Sequence, residues 1–511
     1  MGHAGYDTER ETEWKYEAPS GAHVPDLSGL PRVAVQSDGG RQTLSAIYYD
    51  TADLLLARHG ITLRRRTGGH DSGWHLKLPD RPGTRTEIRM PLGDETPAEL
   101  TAVVTARLRG RPVEPVARIT TRRRRHILLD AAGASLAEVA ADDVTAEAFG
   151  EPPSTDRWAE VEVELTGGDI ELLQAADTRL REHGLTLSAR ASKLERALGA
   201  RLGRAPDGPE AAGGRSEATA GEAVLAWLRI QRDELVGQDA RLRMGEPEAV
   251  HDMRVAARRA RSALQAYRRV LRPERTGGIV EDLRWLGREL GQARDTEVVA
   301  DRLETQLAGL PPELVIGPVA RRLAAYRTPR RAAVRTSSHR TLDSGRYLGL
   351  LDALDELVDA PPFGPGAGRP AARALPEFAA RALRRVAKRA ADAFIAEPGE
   401  QQDLALHATR KAAKRARYAV EAALLATDER ALRRTARSLK ELQTALGDHQ
   451  DTVVARSVLV RMAADAQAEG ENGFTYGVLY AREAESAAES LDRARKVWHA
   501  ANRAKRMSRM R

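Results

Sequence analysis

The sequence contains no cysteine among its 511 residues, and its aromatic residues amount to only 4%. Disulfide bonds and thiolate metal sites are therefore excluded. No apolar run approaches the roughly 20 residues that a helix needs to cross a bilayer, and the N-terminal segment lacks the apolar core of a signal peptide. No P-loop motif ending in Gly-Lys-Ser/Thr is present. These absences predict a soluble cytoplasmic protein that is not a P-loop ATPase.

Charged residues are abundant: Lys and Arg total 81, against 73 Asp and Glu, which gives a formal net charge of +8. This balance favours anionic partners, and the length predicts more than one domain. Strand signals separated by turns fill residues 9–200, whereas the pattern beyond about residue 217 is helical. We predict a strand-rich domain at 7–202, a linker at 203–216, and a helical domain at 217–505.

Several predicted strands carry charged residues at two-residue spacing. In "ETEWK", Glu11, Glu13 and Lys15 alternate with Thr12 and Trp14, so the three charged side chains would share one face of a strand. Similar charged rows recur in "ITLRRRT", "GWHLKLP", "TRTEIR" and "WAEVEVEL". One interpretation is the solvated face of an antiparallel sheet. The other is a closed barrel with a charged interior, in which carboxylates bind a divalent metal and cations bind phosphates.

These strands resemble the CYTH superfamily, the triphosphate tunnel enzymes. "ETEWK" matches the ExExK signature, and "YYDTADLLLARHGITLRRRTGG", "WHLKLP", "RTEIR", "WAEVEVEL" and "SKLERAL" follow in the family's order over about residues 7–200. The resemblance implies an antiparallel eight-stranded β-tunnel that hydrolyses triphosphates with Mg²⁺ or Mn²⁺.

The resemblance also implies roles for individual residues. Catalysis would involve Glu11, Glu13 and Lys15. Metal ligands would be Glu11, Glu13, Asp142, Glu160, Glu162 and Glu164. Substrate phosphates would be bound by Arg64, Arg66, Lys77, Arg89, Arg123, Arg125 and Lys193. The run "RRRR" at 122–125 leaves its register open, because a one-residue slip would turn Arg122 and Arg124 inward instead of Arg123 and Arg125; we favour the latter pair.

The helical half contains an internal repeat. "HDMRVAARRARSAL" begins at His251 and "HATRKAAKRARYAV" at His407, an offset of 156 residues. The same offset relates "LRWLGRELGQARDTEVV" at 283 to "LKELQTALGDHQDTVVA" at 439. A constant offset without gaps indicates two copies of one structural unit. We predict the copies at about 217–359 and 373–505, related by a pseudo-two-fold axis.

The first motif of each copy predicts a basic stripe on a helix. At about 100° per residue, offsets of 0, 3, 7 and 10 fall within an arc of about 80°. His251, Arg254, Arg258 and Arg261 therefore share one side, while Met253, Ala257, Ala260, Leu264 and Tyr267 form the opposite, core-facing side. The stripe is either a solvated basic face or an anion-binding surface. Like charges three and four residues apart disfavour a helix, and a bound polyanion would offset that cost in both copies.

These repeats resemble the CHAD domain, a histidine-rich helical family often found behind CYTH, over about residues 217–505. The resemblance implies two pseudo-symmetric four-helix bundles that bind inorganic polyphosphate. The matching residues are His251, Arg254, Arg258, Arg259, Arg261, His407, Arg410, Lys414, Arg415 and Arg417. Asp295, Asp451 and His449 match the second motif, where we expect them to orient the basic side chains.

The sequence thus predicts an α+β protein of two domains, a β-tunnel followed by an all-α domain. Its predicted function is metal-dependent hydrolysis of inorganic triphosphate or related triphosphates, with polyphosphate binding by the helices. Such binding would associate a cytoplasmic protein with polyphosphate granules. The alternatives are a non-catalytic polyphosphate-binding protein, a nucleotide cyclase, and a nucleic-acid-binding protein. Nucleic acid is disfavoured because the basic helices lack interleaved aromatics for base stacking.

Overall fold

The computed structural model describes residues 6–19, 21, 23–81, 83–202, 218–246, 248–427 and 429–509, without the side chains of 81, 200, 292–297, 328–336 and 502–509. The chain divides into two compact units, Met1–Gly208 and Pro209–Arg511. The predicted linker at 203–216 lies outside the described residues. None of the described helices combines the length and apolarity needed to span a bilayer.

The first unit is built on antiparallel strands. In chain order they are β1 (Asp7–Ala18), β2 (Val35–Asp50), β3 (Thr62–Thr67), β4 (Gly73–Arg81), β5 (Thr84–Met90), β6 (Glu114–Leu129), β7 (Ser135–Ala148), β8 (Ser154–Leu165) and the short β9 (Thr186–Leu187). The described helices of this unit are α1 (Leu55–Arg58), α2 (Ala98–Val103), α3 (Thr105–Leu108), α4 (Ile170–Glu182) and α5 (Lys193–Leu202).

The strands close into a ring. The order β5-β4-β3-β2-β6-β7-β8-β1 is completed by pairing of β1 with β5, and every pairing in the ring is antiparallel. The N-terminal half of β1 pairs with β5, and its C-terminal half pairs with β8. The predicted eight-stranded tunnel is therefore confirmed for the described strands.

On β1, β7 and β8, alternation places carboxylates in the lumen and apolar residues on part of the outer face. Tyr16, Val139, Val161 and Val163 point outward and pack with Leu172, Leu173 and Leu180 of α4. A second cluster joins Ala46, Tyr48 and Ile119 to Leu194 and Leu198 of α5. Because Ala46, Tyr48 and Ile119 also line the lumen, α5 lies against one end of the tunnel. The lumen encloses about 230 Å³.

The second unit is helical. Its helices are α6 (Ala220–Arg243), α7 (Ala249–Ala266), α8 (Pro273–Glu289), α9 (Gly291–Ala308), α10 (Val319–Leu342), α11 (Gly345–Asp359), α12 (Ala371–Ile395), α13 (Glu400–Ala423), α14 (Arg430–Ala468) and α15 (Phe474–Arg509), with a 3-10 turn at Pro312–Leu314.

The repeat predicted from the sequence is visible in the helix boundaries. When 156 is added to the residue numbers of the first copy, α7 coincides with α13, α8 and α9 coincide with α14, α10 coincides with α15, and α6 overlaps α12. The copies meet where α7 packs on α13 and α6 packs on α12. The core-facing residues predicted on α7 are all buried, and the Tyr267 hydroxyl donates to the backbone oxygen of Ala419 at 2.5 Å. The two pseudo-symmetric helical bundles are thus confirmed.

Candidate functional site

The ExExK row of β1 forms one wall of the tunnel. Glu11, Glu13 and Lys15 line the lumen, while Trp14 packs in the outer apolar cluster, as two-residue alternation requires. Lys77 donates to Glu11, and Arg89 lies 3.3 Å from the other oxygen of that carboxylate. Glu13 lies 3.1 Å from Lys15. The row is therefore a set of lumen carboxylates with cations beside them.

Three buried carboxylates from β7 and β8 converge on one lysine. Asp142, Glu160 and Glu162 place their oxygens within 4.8 Å of one another. The Lys193 Nζ, from the start of α5, lies 2.9 Å from Asp142 and 2.7 Å from each glutamate. Burial alone would lower the pKa of Lys193, but the three carboxylates together raise it well above the ordinary value. The ammonium thus stands where a bound cation would be coordinated.

The basic run of β6 has a definite register in the structure. Arg123 donates to both oxygens of Asp142 at 2.8 and 2.7 Å and to Glu162 at 2.5 Å. Arg125 donates at 2.6 Å to Glu138, which lines the lumen. Arg124, in the opposite phase, lies on the outer face within 3.2 Å of His23. Arg123 and Arg125 are therefore the inward pair.

The remaining predicted phosphate-binding residues gather around a carboxylate that the sequence interpretation missed. Glu87 of β5 is buried, with Arg89 at 2.5 Å, His75 at 3.0 Å, and Arg64 and Lys77 at 3.5 Å. Burial would raise the pKa of Glu87, but Lys77, His75 and Arg64 lower it far below its ordinary value. The sequence feature that indicates a lumen position for Glu87 is the two-residue spacing in "RTEIR", which puts Glu87 on the same strand face as Arg89. Arg66 also lines the lumen and pairs with Asp71.

In the helical unit, the basic stripes of the two copies converge. Arg254 and Arg258 of α7 and Arg410 of α13 are close enough to Lys414 to act on its charge. Burial and these three guanidinium groups lower the pKa of Lys414 to about 7. Burial and the nearby charges of Lys411 and Arg410 likewise lower the pKa of His407. The stripes thus form one positively charged region, in which burial and like charge disfavour the protonated forms of Lys414 and His407.

A glycine beneath each stripe explains one feature of the repeat. A Cβ added to Gly291 would lie 3.1 Å from the Arg254 guanidinium, and one added to Gly447 would lie 2.9 Å from that of Arg410. Both distances are shorter than ordinary carbon–nitrogen contact. The glycine in each copy therefore lets an arginine lie against the neighbouring helix.

Comparison with known sequences agrees with these two units. The CYTH domain profile matches residues 9–198, and the CHAD domain profile matches residues 226–460. An uncharacterized protein of Mycobacterium tuberculosis (strain CDC 1551 / Oshkosh) is 40% identical over 494 residues, covering 93% of each chain. The chain belongs to the proteins that fuse a CYTH domain to a CHAD domain. Its CYTH domain is a member of the metal-dependent triphosphate tunnel superfamily, which includes triphosphatases and cyclases.

Two solved structures are similar to parts of the chain. The CHAD domain from the plant Ricinus communis is 28% identical, with a TM-score of 0.46, and the match covers 58% of this chain and 98% of that one. PptA from Streptomyces chartreusis is 22% identical, with a TM-score of 0.45, and the match covers 55% of this chain and 100% of that one.

The donor set of the CYTH lumen fits a divalent metal of the Mg²⁺ type. Such ions bind carboxylate oxygens, and the lumen offers them in two places, at the Asp142, Glu160 and Glu162 cluster and around Glu164. Among the described residues, no cationic side chain forms an ion pair with Glu164. Burial and the charges of Glu11 and Glu13 raise its pKa to about 7. An acidic group destabilised in this way would gain from a nearby cation.

We expect Glu164 to make the metal-free CYTH domain less stable as the pH rises. The pKa of Glu164 is about 7 in the folded state, above its ordinary value of 4.5. Protonation of Glu164 therefore favours folding. This contribution to the free energy of unfolding is fully present below pH 4.5 and is lost as the pH rises through about 7. Glu164→Gln should therefore stabilise the protein at pH 8 in EDTA, by on the order of 2 kcal/mol, and change little at pH 4. Urea unfolding of both proteins at the two pH values measures this difference. Equal stability of the variant and parent at pH 8 would contradict the assignment.

Lys193 should be a strong determinant of CYTH stability. Lys193→Met leaves Asp142, Glu160 and Glu162 without their shared ammonium, and removing one partner of a buried ion cluster costs about 3 kcal/mol or more. Chemical unfolding at pH 7.5 in EDTA measures the loss, and Mn²⁺ should restore part of it. Arg190→Met, which changes an exposed arginine three residues earlier, should alter stability by less than about 0.5 kcal/mol. Equal effects of the two variants would show that the cluster is not stabilised by Lys193.

The other predicted CHAD residues occupy different surroundings. Arg259 and Arg417 share Glu421, at 3.5 and 3.3 Å respectively, and both lie over the Tyr418 ring. Burial and the charges of Arg389, Arg385 and Arg261 lower the pKa of Arg415. Arg261 lies on the stripe beside Arg258 and Arg284, and His251 lies exposed at its start. The basic residues therefore extend along the α7–α13 junction, and Glu421 partly neutralises them on one side.

The second repeat motif contributes mainly supporting contacts in the CHAD domain. Asp451 lies 3.9 Å from Arg410. His449 is buried and bonds through one ring nitrogen to Asp403 at 2.8 Å, while the other lies 3.2 Å from the backbone oxygen of Ala487. His449 therefore joins α13, α14 and α15. The side chain of Asp295 lies outside the described residues.

Proposed function

We propose that the CYTH domain hydrolyses inorganic triphosphate, or related triphosphates, with Mg²⁺ or Mn²⁺, and that the CHAD domain binds inorganic polyphosphate. The observation that carries the proposal is the charge arrangement of the tunnel. Its lumen combines a row of carboxylates from β1, β7 and β8 with lysines and arginines from β3, β4, β5 and β6. A metal-bound polyanion supplies partners for both sets of charges.

The cations divide into two groups along the lumen, one around Glu87 and one around Asp142 and Glu162. The proposed phosphate-binding set is Arg64, Arg66, Lys77, Arg89, Arg123, Arg125 and Lys193. Guanidinium and ammonium groups on both sides of a linear triphosphate would fix it in line with an attacking water. Their charge would also stabilise the diphosphate as it leaves. Phosphoryl transfer depends chiefly on such positioning and charge neutralisation.

The proposed metal ligands are Glu11, Glu13 and Glu164 on one side of the lumen and Asp142, Glu160 and Glu162 on the other. A divalent ion bound there would polarise phosphate oxygens and lower the pKa of a bound water. Lys15 lies beside Glu13 and also donates to Glu162, so it connects the two carboxylate groups. We assign Lys15 to holding these glutamates in position and to neutralising charge on the substrate.

The experiment is a phosphate-release assay on tripolyphosphate with the full-length protein. We expect orthophosphate and pyrophosphate in equal amounts in the presence of Mg²⁺ or Mn²⁺, and none in EDTA. ATP should be tested in parallel with detection of cyclic AMP. Tripolyphosphate binding without release under either metal would overturn the hydrolase proposal and favour a purely phosphate-binding tunnel. Cyclic AMP as the main product would establish a cyclase instead.

The proposed polyphosphate surface of the CHAD domain comprises the converging stripes, His251, Arg254, Arg258, Arg261, His407, Arg410 and Lys414, together with Arg259, Arg415 and Arg417. Like charges concentrated between two packed helices are unfavourable unless an anion is bound. A chain of phosphates offers repeated oxygens to guanidinium groups along such a stripe. Binding of long-chain polyphosphate can be measured by titration, with DNA as a competitor. Displacement of polyphosphate by DNA at equal phosphate concentration would favour a nucleic-acid partner.

A further inference from the structure

A second cavity lies on the outer face of the CYTH barrel. It encloses about 370 Å³, a volume within the range of small-ligand sites. Its outward-facing residues follow two rows of Cα partners across the sheet. The first row is Arg41, Arg124, Ala141 and Val161, and the second is Thr43, Arg122, Asp143, Ala159 and Ala18. These residues alternate along their strands with lumen residues such as Arg123, so their side chains face away from the tunnel.

Three arginines of β2 and β6 line one side of this cavity. Arg41 and Arg124 are directly opposite each other in the strand pair, and Arg122 lies two residues from Arg124 on the same face. Like charges opposite each other in a sheet are unfavourable. Among the described residues, neither Arg41 nor Arg122 forms an ion pair or a side-chain hydrogen bond. This side of the cavity therefore carries positive charge without a counter-charge in contact with it.

Arg124 is the most enclosed of the three arginines. Its side chain is half-buried, and its Nε is buried without a hydrogen-bond partner in the described part of the chain. One of its terminal nitrogens lies 3.2 Å from the Nδ1 of His23, in the loop that follows β1. A buried donor left without a partner is costly. An anion in the cavity would supply both the missing acceptor and the missing negative charge.

The remaining lining residues indicate what the anion is attached to. Ala141, Ala159 and Val161 form a floor whose side chains offer no hydrogen-bonding groups, which suits a flat organic group. Asp143 lies exposed beside this floor and, among the described residues, makes no ion pair. Its carboxylate can therefore accept hydrogen bonds from N–H or O–H groups of a ligand. Guanidinium groups also stack on flat rings.

We propose that this outer cavity binds a phosphate monoester of a flat, uncharged organic group, the chemistry of a nucleoside 5′-monophosphate. Arg41, Arg122 and Arg124 bind the phosphate, the flat group lies on the alanine floor, and Asp143 accepts a hydrogen bond from it. The proposal goes beyond the tunnel and the CHAD stripes, because none of these three arginines belongs to the phosphate-binding sets assigned there. It therefore stands or falls independently of triphosphate hydrolysis and polyphosphate binding.

The absence of cysteine from the chain allows binding to be measured at this cavity alone. In the full-length protein, Ala141→Cys places a single thiol on the cavity floor, and Thr43→Cys places one at its exposed edge. Thr145→Cys is the control, on the same face of β7 but outside the cavity. The rate of alkylation by N-ethylmaleimide at pH 7 is measured for each variant with increasing adenosine 5′-monophosphate.

We expect saturating adenosine 5′-monophosphate to slow alkylation at positions 141 and 43 by at least about 10-fold, because the bound ligand covers the thiol. Alkylation at position 145 should change by less than about 1.5-fold. Nucleotide bound in the lumen or on the CHAD stripes would leave all three rates unchanged. Absence of protection at both 141 and 43, or equal protection at 145, would overturn the proposal.

Two further ligands separate the phosphate from the organic group. Adenosine, which lacks the phosphate, should need at least about a 10-fold higher concentration for half-protection at position 141. Inorganic phosphate, which lacks the flat group, should also need at least about a 10-fold higher concentration. Equal protection by adenosine would overturn the role of the arginines, and equal protection by phosphate would overturn the assignment to a phosphate ester.

Paired arginine variants in the Ala141→Cys protein test the assigned cations. Arg41→Gln/Arg122→Gln should raise the half-protecting concentration of adenosine 5′-monophosphate by at least about 10-fold, because two charge-assisted contacts are lost. The control is Arg118→Gln/Arg157→Gln, which removes two exposed arginines from the same outer face of the barrel, outside the cavity. Its half-protecting concentration should stay within about 2-fold of the parent. Equal effects of the two double variants would show that net charge, and not this cavity, governs binding.

Discussion

Glu13→Gln is expected to reduce metal-dependent phosphate release from tripolyphosphate by about 100-fold or more. Glu13 belongs to the carboxylate row on β1 and lies in the lumen with Lys15 at 3.1 Å. Glutamine keeps the size and shape of the side chain but removes the charge that a divalent ion requires. Because metal-based charge stabilisation contributes several kcal/mol to such reactions, the loss should appear mainly in kcat.

Glu147→Gln provides the matched control. Glu147 is a glutamate of the same barrel, but it is 49% exposed on the outer face and pairs with Arg118 at 3.5 Å. We expect its activity to stay within about 2-fold of the parent protein. Mn²⁺ binding measured by calorimetry should weaken in Glu13→Gln and not in Glu147→Gln, and thermal unfolding verifies that both fold. Retention of more than about a third of the activity by Glu13→Gln would exclude a metal or catalytic role for Glu13.

Reversing one arginine in each CHAD copy should have a comparably large effect on polyphosphate binding. The double variant Arg254→Glu/Arg410→Glu places two carboxylates where the stripes converge, opposite the two motif glycines. We expect the Kd for long-chain polyphosphate to rise by about 100-fold at 0.1 M salt, because two attractive contacts become repulsive in a partly buried site. The dependence of affinity on salt should also become weaker.

The control changes net charge by the same amount elsewhere in the CHAD domain. Arg268 and Lys440 are exposed cations outside the converging stripes, and Arg268→Glu/Lys440→Glu should raise the Kd by less than about 5-fold. If both double variants lost affinity equally, binding would follow net charge rather than the assigned surface. Phosphate release from tripolyphosphate should be unaffected in either variant, since both changes lie in the helical unit.

The sequence predicted the tunnel wall well because a strand has a strict two-residue period. Glu11, Glu13 and Lys15 could share a face in only one way, and the structure places all three in the lumen. The run of four arginines at 122–125 is different, because a run of one residue type carries no phase. Its register comes from pairing across the sheet, where Arg123 lies opposite Asp142 and Gln42.

The ion-pair partners of Glu87 and Lys193 could not be predicted from the two-residue pattern of single strands. Glu87 stands between arginines in the sequence, and its role as a shared acceptor arises only when β3 and β4 bring Arg64, His75 and Lys77 beside it. Lys193 was predicted to bind substrate, but its contacts with three carboxylates depend on the placement of α5 against the tunnel. Such long-range convergence has no local sequence signal.

In the helical half, the constant offset predicted the relation between copies but not their differences. The first copy divides its third helix at Leu290 into α8 and α9 and adds α11, whereas α14 runs unbroken from Arg430 to Ala468. Gly291 and Gly447 also stand 156 residues apart in the sequence, but the reason for this match lies in the positions of Arg254 and Arg410. His449 matched the second motif, but its burial between three helices depended on tertiary packing.

The internal ion pairs of the lumen have a consequence for how the tunnel fills. A divalent ion that bound alone would take carboxylates away from the lysines and arginines that pair with them. An anion that bound alone would take those lysines and arginines away from the carboxylates. When metal and triphosphate bind together, the carboxylates pair with the metal and the lysines and arginines pair with the phosphates, so both groups of charges keep a partner. Metal and triphosphate should therefore show strong heterotropic cooperativity, each raising the affinity for the other by the same factor.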